Sequence, residues 1–270
     1  MLRFKNLGSG SAGNATLVEA SSGRSTSRLL IDCGLNQKTL LERLALAGVA
    51  AEQIDAVFIT HEHSDHIGSA SQFARRFQTP LWMSQGTFDA CFERASGSLF
   101  EAKRQSDPAE WFRCAKDAHT IDLGELQITP FTVPHDAREP LQLRCTDGAA
   151  HLGVLTDLGH ATPHVLEHLN LCDALLLECN HDGDMLLGGR YPPFLKNRVG
   201  GQFGHLSNVQ SAAIAASLNH GRLKHVVAAH LSRQNNRPDL ARAALSEALS
   251  RTPADIAVAD QFLGSDWFTV

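Results

Sequence analysis

The chain carries the run His61-Glu62-His63-Ser64-Asp65-His66, and this stretch decides both the predicted fold and the predicted chemistry. Residues 55–60 precede it directly, and their β-branched and aromatic side chains predict a buried β-strand. Three imidazoles and a carboxylate within six residues at the end of a strand can hold two metal ions. A pair of metal ions activates water and clamps a phosphoester, so the run points to hydrolysis.

The composition is that of a globular protein with one excess, histidine. Apolar residues make up 43% and charged residues 20% of the 270 positions, which predicts one domain over residues 1–270. No apolar run approaches the ~20 residues of a membrane span, so we expect no membrane partner. The 6 cysteines are scattered without a CxxC pair, which is typical of reduced thiols and predicts a cytoplasmic protein. The 14 histidines favour metal binding.

Strand and helix patterns are mixed along the chain, which favours an α/β protein. Strands are predicted at residues 15–19, 28–32, 55–60, 126–133, 141–145, 151–156, 174–178, 225–229 and 256–259. Helices are predicted at residues 37–47, 69–77, 87–95, 208–218 and 238–250, whereas residues 96–117 lack a regular pattern. Two mixed β-sheets with helices on their outer faces, an αββα sandwich, accommodate this order.

Three further residues able to bind metal stand just past short apolar runs. His135 follows residues 131–134, Asp157 follows residues 154–156, and His230 follows residues 226–229. Loops at one edge of a sheet would bring them together with the 61–66 run. A lone histidine in such a place is more often structural, but the recurrence beside this run favours a metal site.

At this point the sequence resembles the metallo-β-lactamase-fold hydrolases. Asp32, in Ile31-Asp32-Cys33-Gly34, matches the first motif of that family, and His135, Asp157 and His230 match its third, fourth and fifth. Four other stretches resemble the YycJ (WalJ-like) group of bacterial exonucleases. These are Gly8-Ser-Gly-Ser-Ala-Gly-Asn14, Glu178-Cys-Asn-His-Asp182, Gly204-His-Leu-Ser-Asn208 and Ala229-His-Leu-Ser232 with Asn235-Asn236. The resemblance covers most of the chain and implies the αββα metallo-β-lactamase fold.

The resemblance implies a centre of two divalent ions. Its ligands would be His61, His63 and His135 on the first ion, Asp65, His66 and His230 on the second, and Asp157 with one oxygen on each. Imidazole and carboxylate ligands suit Zn²⁺ and Mn²⁺ alike, so the metal stays open. Asp32 would orient a ligand histidine. The alternative is that Asp32 is only a polar strand end.

His205 is the residue that bears on the substrate. In phosphodiesterases of this fold, a histidine about two dozen residues before the last metal ligand contacts the scissile phosphate, and His205 stands 25 residues before His230. The implied reaction is attack on phosphorus by a hydroxide bridging the ions, with Asp65, Asp157 and His205 as catalytic residues. The alternative for His205 is an ordinary loop position.

Weaker candidates for substrate binding come from two loops. Ser9, Ser11 and Asn14 lie in a glycine-rich loop that could present N–H groups to phosphate, although such loops are usually only turns. Asn180 and His181 follow a strand end, where they would contact substrate or metal, or hydrogen-bond within the protein.

The resemblance implies 5′→3′ exonuclease action and favours DNA over RNA as the nucleic-acid substrate. The basic and aromatic residues 190–198 could follow a nucleic-acid strand, or form an ordinary solvated face. Three alternatives stay open: an RNA-processing ribonuclease, a small-molecule phosphodiesterase and a non-catalytic binding module. The net charge of −5 gives the small-molecule alternative some weight, because it opposes nonspecific nucleic-acid binding over the whole surface. The complete ligand set argues against a binding module, and His205 argues against a lactam or thioester hydrolase.

Overall fold

The structure is a computed structural model that describes residues 1–92 and 110–270. Its strands form two mixed sheets. The first sheet contains β1 (Leu2–Gly8), β2 (Ala15–Ser21), β3 (Thr26–Ile31), β4 (Ala56–Phe58), β5 (Leu81–Met83) and β6 (Phe112–Cys114). The second contains β7 (Ile121–Asp122), β8 (Gln127–Thr132), β9 (Leu141–Thr146), β10 (His151–Leu155), β11 (Ala174–Glu178), β12 (His225–Ala229) and β13 (Ala257–Val258). The last strand, β14 (Phe268–Thr269), returns to the first sheet beside β1.

Each sheet has an antiparallel half and a parallel half. In the first sheet the order is β14-β1-β2-β3-β4-β5-β6, with parallel pairing from β3 to β6. In the second sheet the order is β13-β12-β11-β10-β9-β8-β7, with parallel pairing from β10 to β13. Parallel strands of one sheet end at a common edge. The residues that follow β3 and β4 therefore lie along one edge of the first sheet, and those that follow β10, β11 and β12 lie along one edge of the second.

Helices cover the outer faces of both sheets. They are α1 (Gln37–Leu46), α2 (Ser64–Ile67), α3 (Ala70–Phe77), α4 (Gln85–Phe92), α5 (Pro163–Leu169), α6 (Gly183–Gly188), α7 (Pro193–Val199), α8 (Asn208–Ser217) and α9 (Pro238–Leu249). One apolar cluster, which includes Phe58, lies between the sheets. A second packs Leu40 and Phe73 of α1 and α3 on the first sheet, and a third packs Val165 and Leu245 of α5 and α9 on the second. These layers confirm the αββα sandwich.

Local chemistry explains where several of the predicted elements begin and end. The side chain of Asn36 accepts a hydrogen bond from the Thr39 N–H and starts α1, and Gly48 follows the helix with φ +77°. The predicted strand 55–60 is shorter than expected. Thr60 N–H donates to the Asp32 carboxylate at 2.9 Å instead of to a neighbouring strand, so β4 ends before it.

Other predictions need correction or fall outside the described residues. The interval 96–117 was expected to lack regular structure, but Phe112–Cys114 pairs in parallel with β5 as β6. Residues 96–109 of that interval, and residues 93–95 of the predicted helix 87–95, lie outside the described part of the chain. No helix among the described residues is long and apolar enough to cross a membrane.

Candidate metal centre

The ends of parallel strands from both sheets meet at one edge of the sandwich. Asp32 follows β3 and His61 follows β4 in the first sheet. In the second sheet Asp157 follows β10, Glu178 ends β11 and His230 follows β12. All five residues are nearly or completely buried. The fold therefore gathers His61, Asp157 and His230, which were expected at strand ends, and places Glu178 beside them.

The backbone turns sharply at three of these positions. Asp32, Asp157 and His230 have φ values of 62°, 53° and 55°, which is the left-handed region that non-glycine residues seldom adopt. Such conformations cost of order 1–3 kcal/mol and persist only where the surrounding structure enforces them. Each turn lies directly after a strand, so it redirects the chain as it leaves the sheet.

His61, His63 and His135 form one side of the centre, called here the imidazole half. His61 Nε2 lies 3.0 Å from His63 Nδ1, which lies 3.3 Å from His135 Nε2. The Thr60 hydroxyl donates to Asp32, so at 3.0 Å from His61 Nδ1 it acts as an acceptor of the ring N–H. His135 Nδ1–H donates to the Gly204 carbonyl at 3.1 Å. These bonds leave His61 Nε2 and His135 Nε2 without protons and facing His63.

Asp65, His66 and His230 form the other side, called here the carboxylate half, with Asp157 between the two. His66 Nε2 lies 3.7 Å from Asp65 Oδ2 and 3.1 Å from Asp157 Oδ2. His230 Nε2 lies 3.6 Å from Asp65 Oδ2, and its Nδ1 lies 3.0 Å from Asp157 Oδ1. The seven residues predicted as ligands thus converge on one region.

Two buried carboxylates hold the rings of the carboxylate half from behind. Asp32 Oδ2 accepts from His66 Nδ1 at 2.8 Å. Glu178 Oε1 accepts from His230 Nδ1 at 3.1 Å and from His205 Nδ1 at 2.8 Å. Because each carboxylate fixes a proton on Nδ1, it leaves Nε2 directed toward the site. This is the arrangement by which carboxylates orient metal-binding histidines.

The donor set fits metal ions. Asp157 Oδ2 and His230 Nε2 are buried and make no hydrogen bond within the described residues, although buried polar atoms nearly always have partners. Zinc binds nitrogen at about 2.0–2.1 Å, and tetrahedral ligands then lie about 3.3 Å apart. The spacing of the three nitrogens of the imidazole half is close to that value. The His and Asp clusters here are therefore typical of a metal site.

The two halves differ in electrostatics. Burial lowers the pKa of His61 well below its usual value, and the neighbouring His66 adds to this effect. Burial also disfavours charge on His66, but Asp157 and Asp32 outweigh it and raise the pKa of His66 to about 10. Burial opposes ionisation of Glu178, yet His205 and His230 lower the pKa of Glu178 to about 2. The ionised carboxylates behind the carboxylate half favour a bound cation.

A cavity of about 350 Å³ opens onto this centre. His63, Asp65 and His205 line one side of it, and Tyr191 and Arg198 line the other. Arg198 Nε donates to Asp136 Oδ2 at 2.6 Å on the same rim. Of residues 190–198, whose role the sequence leaves open, Tyr191, Leu195 and Arg198 therefore reach the cavity.

Of the five residues predicted to bind substrate, only Ser11 lines this cavity among the described residues. The Ser9 hydroxyl accepts from the His230 N–H at 2.7 Å, and the Asn180 amide donates to the His230 carbonyl at 3.0 Å. The Asn14 amide lies 3.0 Å from His66 Nε2. Ser9, Asn14 and Asn180 therefore contact the candidate ligands His66 and His230, and their role in substrate binding stays a prediction. His181 is buried, and its Nδ1 has no hydrogen-bond partner within the described part of the chain.

Sequence reasoning missed the site roles of Glu178 and Thr60. Glu178 was quoted only as part of a motif, although a charged residue that ends the otherwise apolar strand 174–178 was a usable signal. Thr60 gave no signal, because a threonine at the end of a strand is ordinary. Both residues act by orienting histidines, and such contacts depend on partners distant in sequence.

Comparison with known proteins agrees with this geometry. Residues 27–230 match the model of the beta-lactamase superfamily domain. The chain is 31% identical over 248 residues to the exodeoxyribonuclease YycJ of Bacillus anthracis, covering 92% of this chain and 89% of that protein. It is 32% identical over 260 residues to the exodeoxyribonuclease WalJ of Streptococcus pneumoniae, covering 96% of this chain and 92% of that protein.

Among solved structures, the metallo-β-lactamase fold protein YhfI of Bacillus subtilis superposes with a TM-score of 0.70. It covers 99% of this chain and 98% of its own, with 19% sequence identity, so this likeness concerns the fold alone. The sandwich, the converging His and Asp clusters and the two long sequence matches lead to one assignment. The chain belongs to the metallo-β-lactamase superfamily and is a hydrolase homologous to the YycJ and WalJ exodeoxyribonucleases.

Proposed function

We propose that this hydrolase is a metal-dependent phosphodiesterase that removes nucleotides from DNA in the 5′→3′ direction, using a centre of two metal ions. The observation that carries the proposal is Asp157 Oδ2, which lies between the imidazole half and the carboxylate half and makes no hydrogen bond within the described residues. Its distance of 3.1 Å from His66 Nε2 without a hydrogen bond is typical of two ligands that share a cation. The likeness to two exodeoxyribonucleases supports DNA as the substrate.

The residues of each half would hold one ion. His61, His63 and His135 would hold the first, and Asp65, His66 and His230 the second. When bound, two divalent ions such as Zn²⁺ or Mn²⁺ polarise the phosphodiester and make water a nucleophile near neutral pH.

Asp157, which lies between the halves, would be a ligand of both ions. Its Oδ1 lies 3.0 Å from His230 Nδ1, and its Oδ2 lies 3.1 Å from His66 Nε2. Its two oxygens therefore lie beside two different candidate ligands.

His205 would act on the substrate directly. It lines the cavity, and its Nδ1–H donates to Glu178, so Nε2 is the atom left to face a phosphoryl group. A proton held at Nε2 would stabilise charge on a phosphoryl oxygen or pass to the leaving oxygen. Glu178 positions this ring, and Asp32 and Thr60 position the rings opposite.

The rim of the cavity supports a nucleic-acid chain as the substrate. Tyr191 offers a ring for base stacking, and Arg198 offers charge to the phosphate backbone. We further propose that residues 1–270 are one domain and that the protein acts in the cytoplasm. The apolar cluster that joins both sheets supports the first point, and six free cysteines support the second.

The test is cleavage of end-labelled duplex DNA with added Mn²⁺, comparing wild type with Asp65→Ala and with Asp239→Ala, an exposed aspartate on α9. We expect stepwise shortening from the 5′ end by wild type and Asp239→Ala, and none by Asp65→Ala. A near wild-type rate for Asp65→Ala would refute the two-ion scheme. If the protein cleaves only RNA or only small phosphodiesters, the proposed DNA substrate would be wrong, but the proposed two-ion centre would stand.

A further inference from the structure

A second group of residues able to bind metal lies apart from the centre described above. Asp117, His164 and His168 offer one oxygen and two nitrogens that all lie within 4.8 Å of one another. His164 and His168 stand one turn apart on α5, so their rings share one face of that helix. Asp117 belongs to the connection that leaves β6 in the first sheet and enters β7 in the second. The group therefore joins two segments that are distant in sequence.

The positions of all three side chains are fixed by contacts. Asp117 Oδ1 accepts from the Thr132 N–H at 2.7 Å and lies 2.9 Å from His164 Nε2. The His168 ring stacks on Phe131 with centroids 5.1 Å apart and planes 11° apart. His164 meets His168 edge to face at 4.6 Å. Such preorganisation lowers the entropy cost of binding an ion.

An ordinary surface ion pair accounts for only part of this group. It explains Asp117 and His164, which are 39% and 38% exposed. It leaves out His168, whose ring nitrogens make no hydrogen bond among the described residues although stacking holds the ring beside the pair.

We propose that Asp117, His164 and His168 bind one Zn²⁺ ion, separate from the hydrolytic centre. Two imidazoles and one carboxylate form a donor set that zinc accepts, and the exposure of Asp117 and His164 leaves room for water as the fourth ligand. The zinc clamps the connection between the two sheets onto α5, which packs on the second sheet through Val165 and Leu169. Its effect is on stability, since none of the three residues lines the cavity at the hydrolytic centre.

The test is the zinc content of intact protein after dialysis against a fixed concentration of free Zn²⁺, measured by mass spectrometry of the metal. Wild type is compared with His168→Ala, with Asp117→Asn, and with His119→Ala. His119 is an exposed histidine two residues from Asp117, and its ring lies 2.7 Å from the Asp117 carbonyl oxygen. We expect His168→Ala and Asp117→Asn each to hold one zinc fewer per chain than wild type, and His119→Ala to hold the same number.

A second measurement separates a lost ligand from a disturbed fold. Added Zn²⁺ should raise the unfolding temperature of wild type and His119→Ala by more than it raises that of the two ligand variants, because an ion bound only to the folded state stabilises it. Equal zinc content in wild type and in both ligand variants would overturn the proposal. An equal loss of zinc in His119→Ala would overturn it as well, because the chain would then be binding zinc through exposed histidines in general.

Discussion

The imidazole half and the carboxylate half of the candidate centre present similar rings to the cavity, but different groups hold those rings. Neutral oxygens orient the imidazole half: the Thr60 hydroxyl on His61 and the Gly204 carbonyl on His135. Buried carboxylates orient the carboxylate half: Asp32 on His66 and Glu178 on His230. Hydrogen bonds to charged groups contribute roughly twice as much as neutral ones. Positioning in the carboxylate half therefore depends more strongly on individual side chains.

The two halves also differ in the charge of the groups that would bind a cation. In the imidazole half, burial lowers the pKa of His61 and of His135, which disfavours charge on these two rings. In the carboxylate half, Asp157 and Asp32 overcome the burial of His66 and raise its pKa. A cation in the imidazole half would be held mainly by coordination, whereas one in the carboxylate half would also neutralise buried negative charge. The two halves should therefore respond differently to substitution.

The largest effect is expected where the two halves meet. Asp157→Asn keeps the shape of the side chain but removes the charge that both ions would share. We expect the rate of DNA cleavage to fall by about 1000-fold or more, because loss of metal positioning removes several kcal/mol of transition-state stabilisation. Single-turnover cleavage and the metal content per chain measure this. A rate within tenfold of wild type, with two ions retained, would mean that the halves work independently.

The next effect is expected behind the carboxylate half. Glu178→Gln keeps the size of the side chain but removes the charge behind His230 and His205 and replaces one of two acceptor oxygens with an NH2 group. Such changes cost about 10–100-fold in metal affinity or activity. Chelator competition measures the affinity of each ion, and we expect only one ion to be weakened. Glu19→Gln is the matched control, since Glu19 is also buried but pairs with Arg3 and Arg28 far from the centre. Equal weakening of both ions would abolish the distinction between the halves.

The smallest effect is expected in the imidazole half. Thr60→Val removes the hydroxyl that accepts from His61 and replaces it with a methyl group of similar size. The hydroxyl also donates to Asp32, but the N–H of residue 60, which valine retains, still donates to that carboxylate. A neutral hydrogen bond contributes about 1 kcal/mol, so we expect a loss of activity of about fivefold. The measurement is the rate of DNA cleavage by Thr60→Val and by Glu178→Gln in the same assay. A loss as large as that of Glu178→Gln would show that neutral contacts position the rings as strongly as charged ones.

The candidate ligands could be predicted because each one interrupts a local pattern. The 61–66 run, His135, Asp157 and His230 all stand where an apolar run ends, and strand ends are readable from sequence. Glu178 was harder to assign, because its partners are His205 and His230, which lie 27 and 52 residues away. A contact over that distance has no local signature.

The same limit applies to the fold. Most of the longer strands and helices were predicted, but the seven-residue β1 and the helices α5, α6 and α7 were not. The strands β5, β6 and β14 have three, three and two residues and carry too little periodicity to detect. Their existence depends on a neighbour already in place: Phe268 of β14 pairs with Phe4 of β1 at the other end of the chain. Pairing of this kind is set by the assembled sheet.

The left-handed backbone at Asp32, Asp157 and His230 affects how any alanine scan of this protein would be read. Asparagine and aspartate adopt such φ values several times more readily than most residues. Alanine at these positions would add a backbone penalty of roughly 1–2 kcal/mol to the loss of the side chain. Alanine variants would therefore overstate the contribution of these three side chains relative to His61, His63 and His135, whose φ values are not left-handed. Asparagine variants separate the two contributions.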